Sequence, residues 1–184
     1  MARAVLLVSY PIRAAVLSDA PGLGRLIAES ARGLAGGDYT SAQIEASIGT
    51  SWAVDTQLIE DGTYFVVEAD QQIVGCGGWS RRRTLFGGDM QAGRDSSLLD
   101  PAIDAARIRA FFVHPHWARR GIGRGLLVHC EGEARRHGFH AAELMATLPG
   151  ERLYRALGYV VTARVQQPLT EAMTIEIVSM RKDL

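Results

Sequence analysis

The chain contains only two cysteines, Cys76 and Cys130, in 184 residues. They are far apart and each sits among apolar neighbours. A disulfide framework is therefore not expected, and the pair reads as reduced core thiols of a cytoplasmic protein. Net charge is missing too, since Lys plus Arg and Asp plus Glu both number 20. Without a basic excess there is no electrostatic case for nucleic acid or a membrane surface as partner. No apolar run is long enough to span a bilayer. The start, MARAVLLVSY, is short for a signal peptide and lacks a clear cleavage site. His114-x-His116 has no Cys, Asp or Glu at ligand spacing nearby, so no metal is expected. No Gly-Lys-Ser/Thr tripeptide occurs, which argues against a P-loop. The third glycine of a Rossmann fingerprint is replaced by Leu126.

What is present is an ordinary apolar fraction, 47%, enough for a proper core. One domain spanning residues 1–184 is expected. The chain is organised around one stretch. Ile108 to Val113 is rich in aromatic and branched residues and reads as a strand. Pro115 ends its pairing, because proline has no N–H. Arg119-Arg120-Gly121-Ile122-Gly123-Arg124-Gly125 follows. Ile122, Leu126, Leu127, Cys130 and Ala134 then recur at helical spacing. Strand, glycine-rich basic loop and helix together suit an anion. The first N–H groups of a helix lack internal partners, the peptide dipoles make that end positive, and glycines allow close approach. A diphosphate is the natural guest; a plain turn with solvated arginines is the alternative.

Taken in order, Pro11–Val16 reads as a first strand. A helix then starts near Ser18-Asp19, tolerates Pro21 in its first turn and stops at Gly36-Gly37. Thr40-x-x-Gln43 predicts a capping box on a second helix. Thr63–Ala69 and Ile73–Ser80 form a hairpin by spacing, and Gly75, Gly77 and Gly78 point to a bulge or a close approach. Arg81 to Ala105 lacks periodicity and reads as a long loop. Ala141–Thr147 is another strand. Pro149-Gly150 is expected to turn into a short helix over Glu151–Leu157. Tyr159–Arg164 and Met173–Met180 close the chain as strands. This order gives an α/β fold: a mixed sheet with helices on both faces.

The glycine stretch resembles the acyl-CoA loop of the GNAT superfamily of N-acyltransferases, Gln/Arg-x-x-Gly-x-Gly/Ala after a strand ending in Val-x-Pro. With Gly121 and Gly123 as the glycines, Ala118 occupies the Gln/Arg position. A register on Arg120, Gly123 and Gly125 restores the pattern but lengthens the loop, and the first register is preferred. Leu153-Tyr154-x-x-Leu157-Gly158-Tyr159 resembles the family's C-terminal signature. The resemblance implies a mostly antiparallel sheet of six to seven strands and an acetyl-CoA co-substrate. It implies coenzyme contacts from Phe111, Phe112 and Val113 to the pantetheine arm and from Arg119, Arg120, Gly121, Ile122, Gly123, Arg124 and Gly125 to the pyrophosphate. It also implies that Tyr154 protonates the departing thiolate, and that the early helical region, with Tyr39, covers the acceptor pocket. The family's usual glutamate near the start of the central strand is Arg107 here, so that base is missing. Glu68, Asp104 and Asp38 are spare carboxylates, each also readable as a solvated surface group, and a water relay is the other route.

Two further features concern the acceptor. Arg81 and Arg82, with Arg83, concentrate charge in a neutral protein and are candidates for an acidic acceptor; a solvated hairpin end is the competing reading. Arg109 sits on the central strand, where a charge is costly unless paired or exposed to a cleft. It either faces substrate or makes a salt bridge. The expected activity is direct transfer of an acetyl group to an amine of a small molecule or peptide. The alternative is a non-catalytic acyl-CoA-binding module, and a homodimer contact through the long loop is a further possibility.

Overall fold

A computed structural model describes residues 10–184. The apolar run before Tyr10 lies outside the described residues. Seven strands form one sheet in the order β1-β2-β3-β4-β5-β7-β6. They are β1 (Ile12–Ala14), β2 (Tyr64–Ala69), β3 (Gln72–Ser80), β4 (Ala106–Val113), β5 (Ala141–Thr147), β6 (Val160–Thr170) and β7 (Met173–Asp183). Every pairing is antiparallel except β4 with β5. Helices are α1 (Ala20–Leu34), α2 (Ser41–Ser47), α3 (Thr56–Glu60), α4 (Ile122–Arg136) and α5 (Leu148–Ala156). Among the described residues, no helix is long and apolar enough to cross a membrane.

Strand alternation assigns the two faces. Phe65, Val67 and Val74 pack with α4 residues Ile122, Leu126 and Leu127. Tyr64, Val66 and Cys76 pack with Leu23 and Leu26 of α1. Period-2 alternation sends neighbouring residues to opposite faces, so both faces are covered. The α2 capping box forms: Thr40 Oγ1 accepts from Gln43 N at 3.3 Å, and Gln43 Oε1 accepts from Thr40 N at 2.9 Å. The β2–β3 turn is two residues, Asp70 and Gln71, both at positive φ (50° and 61°), which suits the right-handed twist of a hairpin.

Several expectations need correction. Pro149 and Gly150 do not form a separate turn. They lie in the first turn of α5, where proline costs no helical hydrogen bond, and Thr147 Oγ1 accepts from Gly150 N. Strand β6 runs well beyond Arg164, because β7 supplies its backbone partners in a long hairpin, and β7 runs on past Met180 to Asp183 by pairing with Ala141–Glu143 of β5. Helix α3 was not expected. Its single turn is too short for periodicity to register.

The glycines of β3 admit close neighbours. A Cβ on Gly75 would stand 2.5 Å from Ile122 Cγ2, and one on Gly77 would stand 2.7 Å from the Phe111 ring. On β4 an extra residue is accommodated opposite Gly77. Cys76 pairs with Phe112 but Gly78 with Arg109, and Ala110 takes a left-handed φ of 57°. Gly75→Ala is expected to lose about 1–3 kcal/mol of stability from overpacking against Ile122. Gly24→Ala, where a Cβ meets nothing within 4 Å on the exposed side of α1, should gain about 0.5–1 kcal/mol. Urea denaturation of both variants checks the opposite signs.

Candidate functional site

β4 and β5 pair only at Ala106–Ala142 and Arg107–Glu143. Beyond Arg107 they part, and α4 and α5 start on either side of the opening. The β5-facing edge of Ile108–Val113 is left without a strand partner. Val113 N–H on that edge donates instead to Ser30 Oγ at 3.3 Å. A cavity of about 710 Å³ fills the gap. An unpartnered strand edge can receive an extended ligand by backbone hydrogen bonding.

At one end of the cavity is the start of α4. Gly121 is its N-cap, in the left-handed conformation (φ 87°), with no side-chain cap. Arg119 is also left-handed, at φ 63°. The first intrahelical bond runs from Gly125 N to Gly121 O at 2.9 Å. The N–H groups of Ile122, Gly123 and Arg124 therefore lie in the orphan first turn of the helix. Arg119, Arg124 and Arg152 border the same end, and among the described residues none has a carboxylate within 4 Å.

Tyr154, on α5, lines the cavity and is nearly buried. Its ring meets Phe111 edge-on at 6.3 Å and Tyr159 at 5.8 Å. Burial raises the phenol well above its ordinary pKa, so it stays protonated at neutral pH. Burial pushes the Cys76 thiol up to about 12, and Cys130 is likewise raised. Both are poor nucleophiles.

The structure gathers some of the expected residues and separates others. Phe111, Phe112, Val113, Arg119, Gly121, Ile122, Gly123, Arg124, Arg109 and Tyr154 all line the cavity. Arg120 does not; its guanidinium stacks over Trp117 at 4.7 Å. Gly125 lies one turn inside α4, so the helix begins in the register on Gly121 and Gly123.

Tyr39 does not line the cavity. Its hydroxyl donates to Glu176 O at 2.7 Å and accepts from Leu148 N at 2.8 Å, tying α5 to β7. Arg81 and Arg82 are also away from it. Arg82 holds Asp61 through Nε and Nη2 at 2.6 and 2.7 Å and donates to Ser96 O. That arginine anchors the long loop to the end of α3.

The ion pairs around Arg109 were invisible in the sequence. Its Nη2 lies 2.7 Å from Asp55 Oδ2 and donates to Gly87 O at 2.7 Å. Arg94 donates to the other Asp55 oxygen at 2.7 Å and to Gly88 O at 2.8 Å. Burial pulls the Arg109 pKa down and Asp55 opposes it. This cluster clamps the 81–105 loop, through Gly87 and Gly88, beside the β4 bulge. It presses Leu85 and Phe86 into the cavity wall. Trp52, which lies in the early helical region expected to cover the acceptor pocket, completes that wall together with Leu34, Ile175 and Ile177, which were unforeseen. Their only sequence signal was apolarity, which ordinary core residues share.

Residues 60–161 match the family model of the acetyltransferase (GNAT) domain. Among solved structures, a GCN5-related N-acetyltransferase from Rhodopseudomonas palustris superposes with a TM-score of 0.73 at 19% identity, covering 99% of this chain and 100% of that one. The PaiA N-acetyltransferase of Thermoplasma acidophilum, solved in complex with coenzyme A, gives 0.67 at 16% identity, covering 96% and 100%. The ribosomal-protein-alanine N-acetyltransferase of Brucella melitensis gives 0.62 at 18% identity, covering 95% and 99%. No curated protein sequence matches the chain significantly. At these identities the structural likeness carries the fold.

Asp55→Asn keeps the shape of the side chain and removes the charge between two guanidinium groups. Breaking a buried ion pair on one side costs about 3–5 kcal/mol. The variant should lose that much in chemical denaturation and expose the 81–105 loop to protease. Wild-type stability would mean the cluster does not hold the loop.

Proposed function

The chain belongs to the GNAT acetyltransferase family, and on that premise we propose that it transfers the acetyl group of acetyl-CoA directly to an amine. The observation that carries this reading is one continuous cavity. It joins the orphan amides at the start of α4 to Tyr154 along the open edge of β4. The residues present fit the co-substrate. Arg119, Arg124 and Arg152, with the N–H groups of Ile122 to Arg124, suit phosphate oxygens. The β4 edge suits the amide-bearing pantetheine arm. That a structural neighbour was solved with coenzyme A supports the same assignment.

Acetyl-CoA, when bound, supplies an activated thioester. The acceptor nitrogen, as the neutral amine, forms a bond to the thioester carbonyl carbon, and the carbon–sulfur bond breaks. Tyr154 gives its proton to the departing sulfur, and the proton lost from nitrogen returns to the phenol through water. No enzyme-bound acyl group is required, in keeping with the buried, raised cysteines.

Gly123→Asp would set a carboxylate among the phosphate-facing amides. Calorimetry should show coenzyme A binding weakened at least about tenfold; unchanged affinity would mean the phosphates bind elsewhere. Tyr154→Phe removes only the hydroxyl. Turnover should fall about 10²–10⁴-fold while coenzyme A affinity holds. An unchanged rate, with chemistry limiting, would remove Tyr154 from the acid role. A protein that binds acetyl-CoA but acetylates no amine would be a binding module instead.

A further inference from the structure

The acceptor end of the cavity carries chemical information of its own. Leu34, Trp52, Phe86, Met145, Ile175 and Ile177 surround it, and its neutral polar side chains include those of Ser51 and Gln167. The ionisable groups on the whole cavity are Arg109, Arg119, Arg124, Arg152 and Tyr154. Among the described residues no carboxylate or imidazole lines it, and residues 1–9 contain neither group. Arg109 is paired with Asp55, which it shares with Arg94; Arg119, Arg124 and Arg152 are the groups that face the phosphates. Tyr154 is held protonated.

Two physical consequences follow. An ammonium ion entering this space would lose its hydration without gaining a side-chain counter-ion from the walls. Burying an unpaired ion is among the costliest steps a binding site can require. Nor can any side chain on the cavity walls take a proton from an ammonium ion before the transfer, since Tyr154 is itself protonated until sulfur departs. The acceptor must therefore shed that proton before it enters. We propose that the acceptor is a compact apolar amine with no second charge, bound in its uncharged form. An arylamine, neutral at physiological pH, fits; a polyamine or a lysine side chain does not. Phe86, held by the Asp55 cluster through Gly87, is the wall residue that selects for it. This inference rests on the acetyl-transfer reading above and names its substrate class.

The isomers 4-methylaniline and benzylamine share composition and nearly share shape, but at pH 7 the first is neutral and the second protonated. Coenzyme A binding is titrated first. Dissociation constants for both amines and for spermidine are then measured by calorimetry, with and without saturating coenzyme A, from pH 6 to 9. The expected result is pH-independent binding of 4-methylaniline. Benzylamine should bind at least about tenfold more weakly at pH 7 and tighten about tenfold per pH unit below its own pKa, following its neutral fraction. Spermidine should not compete. Phe86→Ala should weaken 4-methylaniline at least about fivefold, by loss of ring contact, with coenzyme A affinity unchanged. PH-independent benzylamine binding, a preference for spermidine, or failure of 4-methylaniline to bind would overturn the inference. Failure of coenzyme A alone would instead overturn the acetyl-transfer reading, since the amine constants are also measured on the free protein.

Discussion

The parting of β4 from β5 after Arg107 governs everything else in this molecule. Two parallel strands that continued side by side would satisfy each other's backbone and close the sheet. Here they pair for two residues and diverge. The divergence exposes one edge of β4, opens a cavity through the sheet and places the starts of α4 and α5 at its rim. The bulge at Ala110 belongs to the same device. It lets β4 keep its pairing with β3 while its backbone is re-aimed at the gap. Gly75 and Gly77 of β3 accept the consequence, allowing Ile122 and Phe111 to lie almost on the backbone.

Charge is distributed unequally around this opening. A neutral chain has placed Arg119, Arg124 and Arg152 at the helix-start end, clear of carboxylates, where a polyanion would be welcome. The guanidinium that points inward, Arg109, is paired with Asp55, which it shares with Arg94. Leaving any one of these groups unpaired would be costly in a buried setting, so the three sites constrain one another. That mutual constraint fixes a loop of 25 residues, 81–105, that has no named strand or helix of its own. A cavity with a cationic mouth and an apolar interior is the outcome.

The order of elements was legible because each rests on local rules. The capping box at Thr40, the alternation of Tyr64–Ala69 and the strand, glycine loop and helix from Ile108 to Ala134 all depend on near neighbours in the chain. Local rules also misled. Pro149-Gly150 looks like a turn, yet proline is equally at home in the first turn of a helix. The cap at Thr147, whose Oγ1 accepts from Gly150 N, marks the helical choice here. The triple arginine at Arg81–Arg83 looked like a free charge run, but Arg82 has a partner in Asp61, supplied by a different element.

The sequence by itself determined the mixed sheet, the helices on its two faces and the glycine loop at a helix start, because periodicity and caps act over a few residues. Only the tertiary structure decided where β4 and β5 separate, which arginines remain free and which are paired. It alone brought Leu34, Trp52, Phe86 and Ile177 to one wall. The physical reason is range. Asp55 and Arg109, or Phe86 and Ile177, are distant along the chain, and their side chains carry no mark of the partner they will meet. Their pairing is a property of the packed sheet, set by which buried groups can satisfy one another once the strands have taken their places.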